Sequence, residues 1–327
     1  MEGLVLLVLF LVLAAEFVNG WTDAPNSIAT VVSTRVLSPF QALAMASILN
    51  VLGAMSGTAV AATIGKGIVR PEAISVATVG AAMVAVVLWS TLAWAWGLPT
   101  SESHALIAGP SGAGLATAGP GVLLWEGWSK VLIGLLFSTF LGFAGGLGIT
   151  VAIYWTFRSW KPGTVRKLFG RLQMLSAAFM AFSHGSNDGQ KFIGAFTLTL
   201  VLGGFLPQFE VPVWVILICA TTMGVGTAVG GWRIVKTMGL RLTKLEPVHG
   251  FAAETAAASA IELATRLGVP LSTTHTINTS IMGVGATRRL SAVRWGVGSE
   301  IVTAWILTFP VCGLIAWTVA KLFGLVL

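Results

Sequence analysis

Charged residues are scarce in this chain of 327 residues. Asp, Glu, Lys and Arg make up 9% of the sequence, whereas 55% of residues are hydrophobic. A soluble domain carries roughly 25% charged residues. Apolar runs long enough to cross a bilayer, which takes about 20 residues, follow one another along the sequence. The alternating pattern of transmembrane β-strands is missing. We therefore predict an all-α polytopic membrane protein, with multiple passes through the lipid bilayer of the cell (plasma) membrane.

Other residue types and motifs that are rare or missing exclude several classes of function. The only cysteines, Cys219 and Cys312, each lie inside an apolar run, which argues against a disulfide framework or a thiolate metal site. No nucleotide-binding glycine motif is present, so ATP is not the expected energy source. No Gly-x-Ser-x-Gly elbow indicates a hydrolytic nucleophile. We predict that the chain is not an enzyme and needs no cofactor.

Positive charge is concentrated in short loops. The formal net charge is +7, and the segment Arg158 to Arg171 alone holds five Lys or Arg residues and no acidic residue. Loops of this kind are typical of the cytoplasmic side of membrane proteins. The distribution explains the charge without a nucleic-acid partner, and none is predicted.

The sequence repeats itself about this basic segment. Residues 158–171 form a predicted cytoplasmic connector between a first half, 1–157, and a second half, 172–327. Asp188 follows Asp23 by 165 positions, and internal repeats are typical of secondary transporters. Each half has an odd number of apolar runs, so we predict two inverted repeats with about 10–12 transmembrane elements in total. Polar motifs inside the runs predict broken helices or hairpins at the midplane.

One polar motif interrupts the first apolar run of each half, and the two motifs have similar sequences. In a bilayer an ionisable group at this depth is costly unless it is paired or hydrated. Carboxylate, amide and hydroxyl oxygens suit a hard cation such as Na⁺, and a carboxylate can instead carry a proton. A buried polar network that joins helices is the alternative. The predicted coupling-cation residues are Asn19, Thr22, Asp23, Asn26, Ser186, Asn187 and Asp188.

A second motif, Gly-x-Pro-x-Ser-x-Ser/Thr-His, also occurs twice, at Gly97–His104 and Gly268–His275. Gly and Pro break the backbone, and the hydroxyl cluster then falls where a new helix begins. Free N–H groups and the positive end of the helix dipole make such a terminus an anion site. Plain helix capping is the alternative. The predicted anion-binding residues are Ser101, Ser103, Ser272, Thr273 and Thr274, with Asp23 and Asp188 beside them.

These motifs, taken together and in this order, resemble the inorganic phosphate transporter family of secondary carriers. The match rests on Asn19-Gly20-x-x-Asp23-x-x-Asn26, on His184 to Lys191, and on the two Pro-x-Ser-x-Ser/Thr-His segments. The resemblance implies import of inorganic phosphate together with Na⁺ or H⁺ by alternating access. It implies that Asp23, Asn26, Asn187 and Asp188 help to bind the coupling cation, with Na⁺ possible there. It further implies inverted repeats and a homodimer.

Three departures matter, and the first is Thr22, which replaces the family's usual Asn before the aspartate but keeps an oxygen donor. Lys191 stands where the first half has Asn26, and its ammonium can occupy part of a cation site, so we hypothesise that the halves bind coupling ions unequally. Glu102 stands where the second half has Thr273. A carboxylate beside an oxyanion repels it unless it is protonated or paired. Glu102 is therefore either a proton-coupling group or a structural partner.

Four further residues are candidate modulators. His104, His184 and His275 flank the polar motifs, either as neutral hydrogen-bond partners or as pH-sensitive groups. Glu254 is a second-half carboxylate whose first-half counterpart is Met83, so it is not part of the symmetric core. The two alternatives for its role are a helix contact and a cation ligand. Sulfate is the rival substrate to phosphate, and a passive anion channel is the rival mechanism, although a channel needs rings of basic side chains.

Overall fold

The computed structural model describes the backbone of residues 2–326 and the side chains of all of these except residues 66, 67, 71, 325 and 326. This part of the chain contains twelve α-helices and no β-strand, which confirms the predicted all-α fold with about 10–12 elements. The helices are α1 (Glu2–Ser33), α2 (Pro39–Ala54), α3 (Ala59–Gly67), α4 (Val76–Trp96), α5 (Glu102–Ala118), α6 (Trp125–Thr156), α7 (Pro162–Leu202), α8 (Val213–Val229), α9 (Trp232–Lys236), α10 (Pro247–Arg266), α11 (Thr273–Ala286) and α12 (Trp295–Val326).

The order of helix types in α1–α6 recurs in α7–α12. Each set begins with a long helix and continues with a bent pair, α2–α3 at 72° and α8–α9 at 59°. Two helices joined by a short break follow, and a long helix of 32 residues ends each set. By length and apolarity, four helices of the described chain can cross a membrane, or six if each bent pair counts as one span.

The joined helices α4 and α5 form a hairpin, and so do α10 and α11. The strand-like segment before α4 pairs with the one after α5, where Arg70 N donates to Val122 O at 2.9 Å. The segments flanking the second hairpin pair in the same way, with Arg294 N donating to Leu242 O at 3.0 Å. Each hairpin therefore enters and leaves the bundle on one side.

The two hairpins enter from opposite ends of the bundle. Helix α6 begins beside the first hairpin, where Leu124 N donates to Ile68 O at 3.1 Å. It ends beside the second, where the Tyr154 hydroxyl lies 2.7 Å from His249 Nε2. A helix of 32 residues is about 48 Å long, so this separation exceeds a bilayer core. The arrangement agrees with inverted repeats, although the inversion itself stays a prediction.

The hairpin tips meet inside the bundle. Ser272 Oγ donates to Ser101 Oγ at 2.8 Å, joining two equivalent positions. Each tip is also held by the bent pair of the other half. Thr63 Oγ1 donates to Gly268 O, and Thr237 Oγ1 donates to Gly97 O, both at 2.8 Å. Gly97 and Gly268 have φ values of +71° and +66°, a conformation that glycine adopts without strain.

Glycines set the closest helix crossings. A Cβ atom on Gly112 of α5 would lie 2.1 Å from the Gly313 carbonyl oxygen of α12. Gly283 of α11 is the equivalent position, and a Cβ atom on it would likewise lie 2.1 Å from the Phe143 carbonyl oxygen of α6. Small residues allow backbones to approach in this way in membranes, where apolar burial between helices adds little.

The prediction that the aspartate motifs break their helices was wrong. Helices α1 and α7 run without interruption through both motifs. Gly185 of α7 serves close packing, because a Cβ there would lie 2.2 Å from the Asn50 carbonyl oxygen. Pro25 removes one hydrogen bond of α1. Gly231 allows a close approach there, because a Cβ on it would lie 2.9 Å from the freed Trp21 carbonyl oxygen. The breaks within α2–α3 and α8–α9 were not predicted, and α7 already begins at Pro162, inside the predicted connector.

Candidate functional site

The structure brings the aspartates of the two motifs together. Asp23 lies in the middle of α1 and Asp188 in the middle of α7, and both are buried. One oxygen of each carboxylate and one ring nitrogen of His184 all lie within 4.8 Å of one another. Two carboxylates this close repel each other in a low-dielectric environment unless a cation or a proton compensates.

The tip of the second hairpin supplies hydroxyl donors to this pair. Thr273 Oγ1 donates to Asp188 Oδ2 at 2.8 Å, and Thr274 Oγ1 lies 3.3 Å from Asp23 Oδ2. Asn26 Nδ2 donates to Thr274 Oγ1 at 3.0 Å. One turn of α11 thus contacts both long helices, and the carboxylates of both halves share its hydroxyl groups.

Both half-helices begin at this point. Ser272 caps α11 by accepting the His275 N–H at 3.1 Å, and Ser101 caps α5 by accepting the His104 N–H at 3.3 Å. The positive ends of the two helix dipoles therefore lie close together beside the aspartates. Ser101 and Ser272 are occupied by capping and by the hydrogen bond between them. The remaining hydroxyl donors in the first turns of the two helices are those of Ser103, Thr273 and Thr274.

Lys191 fills the second half of the site. Its side chain is 1% exposed, and its ammonium donates to the Asp188 carboxylate, to Ser103 Oγ at 2.5 Å and to the Leu271 carbonyl at 3.0 Å. An ammonium has three donors, so all of them are used. Ser103 in turn donates to the Leu271 carbonyl at 2.9 Å. The buried charge of Lys191 is thus paired and fully hydrogen-bonded, as a charge at this depth needs to be.

The first half of the site has no such cation among the described side chains. Glu102 is buried in the first turn of α5, where Thr22 Oγ1 donates to its Oε1 at 3.0 Å. Its Oε2 makes no hydrogen bond of standard geometry in the described part of the chain, although the Ser90 hydroxyl lies close enough to interact with the carboxylate. Within the part of the chain that the structure describes, Asp23 and Glu102 therefore have no ion pair with a buried basic side chain, whereas Asp188 has one.

Two other acceptor atoms near the aspartates also lack donors among the described residues, Asn19 Oδ1 and Asn187 Oδ1. Glu16 Oε1 lacks one too, but Glu16 lies seven residues before Asp23, about 10 Å along α1, and so outside the central site. Buried polar atoms in proteins are nearly always paired, and a surplus of oxygen acceptors suits a hard cation. The amide nitrogens are occupied, because Asn19 Nδ2 donates to Glu16 at 3.1 Å and Asn187 Nδ2 donates to Thr265 Oγ1 at 2.8 Å. The unpaired oxygen atoms could therefore act as ligands of a cation such as Na⁺.

Ser186 takes a different position from the one predicted. Its hydroxyl pairs with Ser56 Oγ, at 3.2 Å, in the bend between α2 and α3. The structure therefore gives it no hydrogen bond to the aspartates.

His184 adds a nitrogen to the aspartate pair. Thr227 Oγ1 donates to the Met223 carbonyl of its own helix, so it accepts the hydrogen bond from Asn50 Nδ2 at 2.9 Å. This orients Asn50 Oδ1 toward His184 Nδ1 at 3.1 Å, and Nδ1 is then the protonated nitrogen. His184 Nε2 consequently faces Asp188 Oδ2 at 3.3 Å. A neutral ring directs a lone pair there, so Nε2 either carries a proton or faces a cation.

The other two histidines lie behind the hairpin tips. The rings of His104 and His275 meet edge to face at 4.5 Å, and His275 stacks on Trp305 at 3.6 Å. His104 Nδ1 lies 3.3 Å from the Trp305 carbonyl. The contacts that the structure gives them are with each other and with α12. They pack the half-helices against α12 and lie outside the group of aspartate contacts.

Glu254 belongs to a separate buried cluster. Its carboxylate accepts hydrogen bonds from Thr30 at 2.5 Å, from Gln173 at 3.1 Å and from Ser176. Thr30 follows Asp23 by seven residues, a rise of about 10 Å along α1. The structure therefore does not place Glu254 in the central site. Gln173, Ser176 and Asn50 were missed from the sequence, although each is a polar residue inside an apolar run.

Comparisons with known proteins agree with this geometry. Residues 19–164 and 156–316 match the model of the phosphate transporter family. The chain belongs to this family. Within it, the chain is 43% identical over 316 residues to a protein of Rhizobium meliloti (strain 1021) named a probable low-affinity inorganic phosphate transporter, covering 96% of this chain and 93% of that protein. A Bacillus subtilis (strain 168) protein of the same name is 38% identical, covering 94% and 93%.

A solved structure shares the fold of this family member. It is titled the sodium-dependent phosphate transporter and superimposes with a TM-score of 0.88 at 25% sequence identity, covering 99% of this chain and 100% of the other. The family membership and this match confirm the resemblance to phosphate transporters and the multi-pass membrane protein that the sequence predicted. Relatives named as transporters also agree with the prediction that the chain is not an enzyme.

Proposed function

We propose that this protein is a cation-coupled symporter that imports inorganic phosphate by alternating access. One observation carries the proposal: two capped half-helix N-termini, joined through Ser101 and Ser272, face the buried Asp23–Asp188 pair in a single cluster. Helix N-termini bind oxyanions, and paired carboxylates bind cations. Membership of the phosphate transporter family supports phosphate as the anion. The two halves, 1–157 and 172–327, are proposed to move against each other as inverted repeats.

Cation and phosphate binding are linked through shared hydroxyl groups. Thr273 and Thr274 donate to the aspartates in this structure. A cation that binds the carboxylates takes the place of the hydroxyl protons that these carboxylates accept. The hydroxyls are then free to donate to phosphate, together with the backbone N–H groups of the half-helices. Phosphate affinity therefore rises when the cation is bound, which is the linkage that coupled transport requires.

The two halves take part unequally. Lys191 already neutralises Asp188, so we place the coupling cation on the first half, at Asp23 with Asn26, Thr22 and Glu102 nearby. Asn187 and Asn19 have free acceptor oxygens and remain proposed ligands. This distribution agrees with the hypothesis that the halves bind coupling ions unequally.

Two coupling cations fit this site. The oxygen-rich ligand set favours Na⁺, and the structurally similar protein is titled as sodium-dependent. A proton is the second candidate, because Glu102 is a buried carboxylate with one oxygen that makes no hydrogen bond of standard geometry among the described residues and His184 faces Asp188 through Nε2. Phosphate uptake by the protein in liposomes, with Na⁺ replaced by choline at several pH values, separates them. Loss of uptake without Na⁺ at every pH assigns Na⁺, whereas uptake that follows only an imposed pH gradient assigns the proton.

Phosphate rather than sulfate is the proposed substrate. At neutral pH phosphate still carries a proton and donates a hydrogen bond, and the carboxylates of Asp23, Asp188 and Glu102 are acceptors for it. Competition of labelled phosphate uptake by excess unlabelled phosphate or sulfate tests this choice. Equal inhibition by sulfate would contradict it.

A homodimer also stays a prediction, which the mass of the detergent-solubilised protein tests.

A further inference from the structure

A pocket of about 390 Å³ lies where the two halves are joined, far from the central site. Its walls come from the end of α6, the start of α7 and the start of α10. The basic side chains Arg158 and Arg166 line it, together with the aromatic side chains of Tyr154, Phe157 and Trp160. The floor is apolar, with Ile153, Val165 and Val248. The pocket thus combines a charged rim with an apolar interior.

The positive charge of residues 158–171 has no acidic partner among the described residues. Residues 158–171 contain five basic residues and no acidic residue. None of the five forms an ion pair with a described residue. Arg158 is exposed, and its guanidinium lies 5.0 Å from the centre of the Trp155 ring. Its charge is therefore available to a ligand.

The acidic residue in the wall does not cancel this charge. Glu246 pairs with Arg288, at 2.5 Å. Partial burial alone raises the pKa of the Glu246 carboxyl, but the hydrogen bond and charge of Arg288 outweigh it and bring the pKa below its ordinary value. Glu246 is then ionised and already compensated. The net charge at the rim of the pocket therefore stays positive.

The position of the pocket points to a membrane ligand. The positive-inside rule places residues 158–171 at the cytoplasmic surface. Trp155 and Trp160 are exposed beside the pocket, and such aromatic residues mark the level of the lipid headgroups. Basic pockets between transmembrane helices at this level bind anionic headgroups, and the apolar floor suits acyl chains.

We propose that this pocket binds an anionic phospholipid. The phosphate of the headgroup lies between Arg158 and Arg166, and the first acyl carbons pack on Ile153, Phe157 and Val165. The ligand joins α6, α7 and α10 and so ties the two halves together at one surface. This site is independent of the phosphate-transport proposal, because it shares no residue with the central cluster.

The matched variants for a test lie in the same connector. Arg158→Gln/Arg166→Gln removes two charges from the pocket, and Lys161→Gln/Lys167→Gln removes two charges that do not line it. The full-length protein is purified in a neutral detergent and titrated with phosphatidylglycerol, with phosphatidylcholine as the neutral probe. Bound lipid is counted by native mass spectrometry. Size-exclusion chromatography confirms that each variant is folded.

The wild type is expected to retain phosphatidylglycerol in preference to phosphatidylcholine. The Arg158/Arg166 variant should weaken this binding about tenfold or more, and the Lys161/Lys167 variant should stay within about twofold of the wild type. Equal losses in both variants would show only a diffuse attraction and overturn the proposal. Equal retention of the two lipids would also overturn it. Displacement of the lipid by millimolar inorganic phosphate would assign the pocket to a soluble anion instead.

Discussion

At the scale of single residues, Thr274 connects the two halves of the site. Its hydroxyl contacts Asp23 and accepts Asn26, so it is proposed to respond to the cation and to bind phosphate. A hydrogen bond to a charged group contributes about 1.5–3 kcal/mol. We predict that Thr274→Val, which keeps the shape and removes the hydroxyl, raises the KM for phosphate uptake by about tenfold or more.

The control for Thr274 lies on the same helix. Thr276 is equally buried, but its hydroxyl donates only to the backbone of its own helix, at Ser272. Thr276→Val should change the KM by less than about twofold. Similar KM values for the two variants would remove Thr274 from the binding site.

Lys191 determines how many cations the site needs. In the wild type its ammonium occupies three acceptors around Asp188. Lys191→Asn introduces the residue that the first half has at Asn26 and leaves Asp188 without a counter-charge. We predict that this variant requires one additional cation per phosphate, measured as the cation-to-phosphate ratio from the gradients at which flux reverses. The exposed Lys321→Asn serves as the control.

An unchanged ratio together with unchanged phosphate uptake in Lys191→Asn would contradict the unequal roles of the halves. The proposal that Lys191 replaces a coupling ion would then be wrong. The position of the Asp pair would remain as the structure shows it.

At the scale of helices, fold stability depends on the glycine crossings. Gly283→Ala places a methyl group on the Phe143 carbonyl, since the added Cβ would lie 2.1 Å from it. Overpacking of this kind costs about 1–3 kcal/mol or more. We predict a lower melting temperature and a smaller folded fraction by fluorescence-detected size-exclusion chromatography.

Gly148 provides the matched control for Gly283. It lies within α6, and an added Cβ would meet no atom within 4 Å. Gly148→Ala should therefore leave the melting temperature unchanged or raise it slightly, because alanine favours the helix. A fall as large as that of Gly283→Ala would show that the helix crossings are looser than the structure indicates.

Helix breaks show what sequence patterns can and cannot predict. The Gly-x-Pro segments at Gly97 and Gly268 predicted a backbone break followed by a new helix, because a positive φ and a proline act locally, but the pattern did not show that the two helices fold back as a hairpin. The aspartate motifs did not break α1 and α7, because tertiary contacts compensate for polar and glycine residues there. Gly185, for example, packs on Asn50, a contact between residues far apart in sequence. Sequence spacing holds no information about such partners.

At the scale of the whole molecule, the repeat could be predicted but its consequences for the site could not. The nearly constant separation of the motifs, 165 positions for the aspartates and 171 for the Gly-x-Pro segments, indicated that the halves are equivalent, and the helix order agrees. Departures such as Lys191 and Glu102 were visible in the sequence. Their partners, Asp188 and Ser103 for Lys191 and Thr22 for Glu102, come from helices and hairpin tips of both halves. Only the folded arrangement shows that the first half carries the uncompensated carboxylates.

The central claim is that the Asp23–Asp188 cluster couples a cation gradient to phosphate movement. Proteoliposomes containing the full chain and an inward cation gradient of known size test it, with labelled phosphate measured inside and outside over time. We predict that internal phosphate rises above the external concentration and falls back when an ionophore collapses the gradient. Asp23→Asn should never exceed equilibrium. A wild-type protein that equilibrates phosphate without accumulating it would contradict coupling and indicate a passive anion channel.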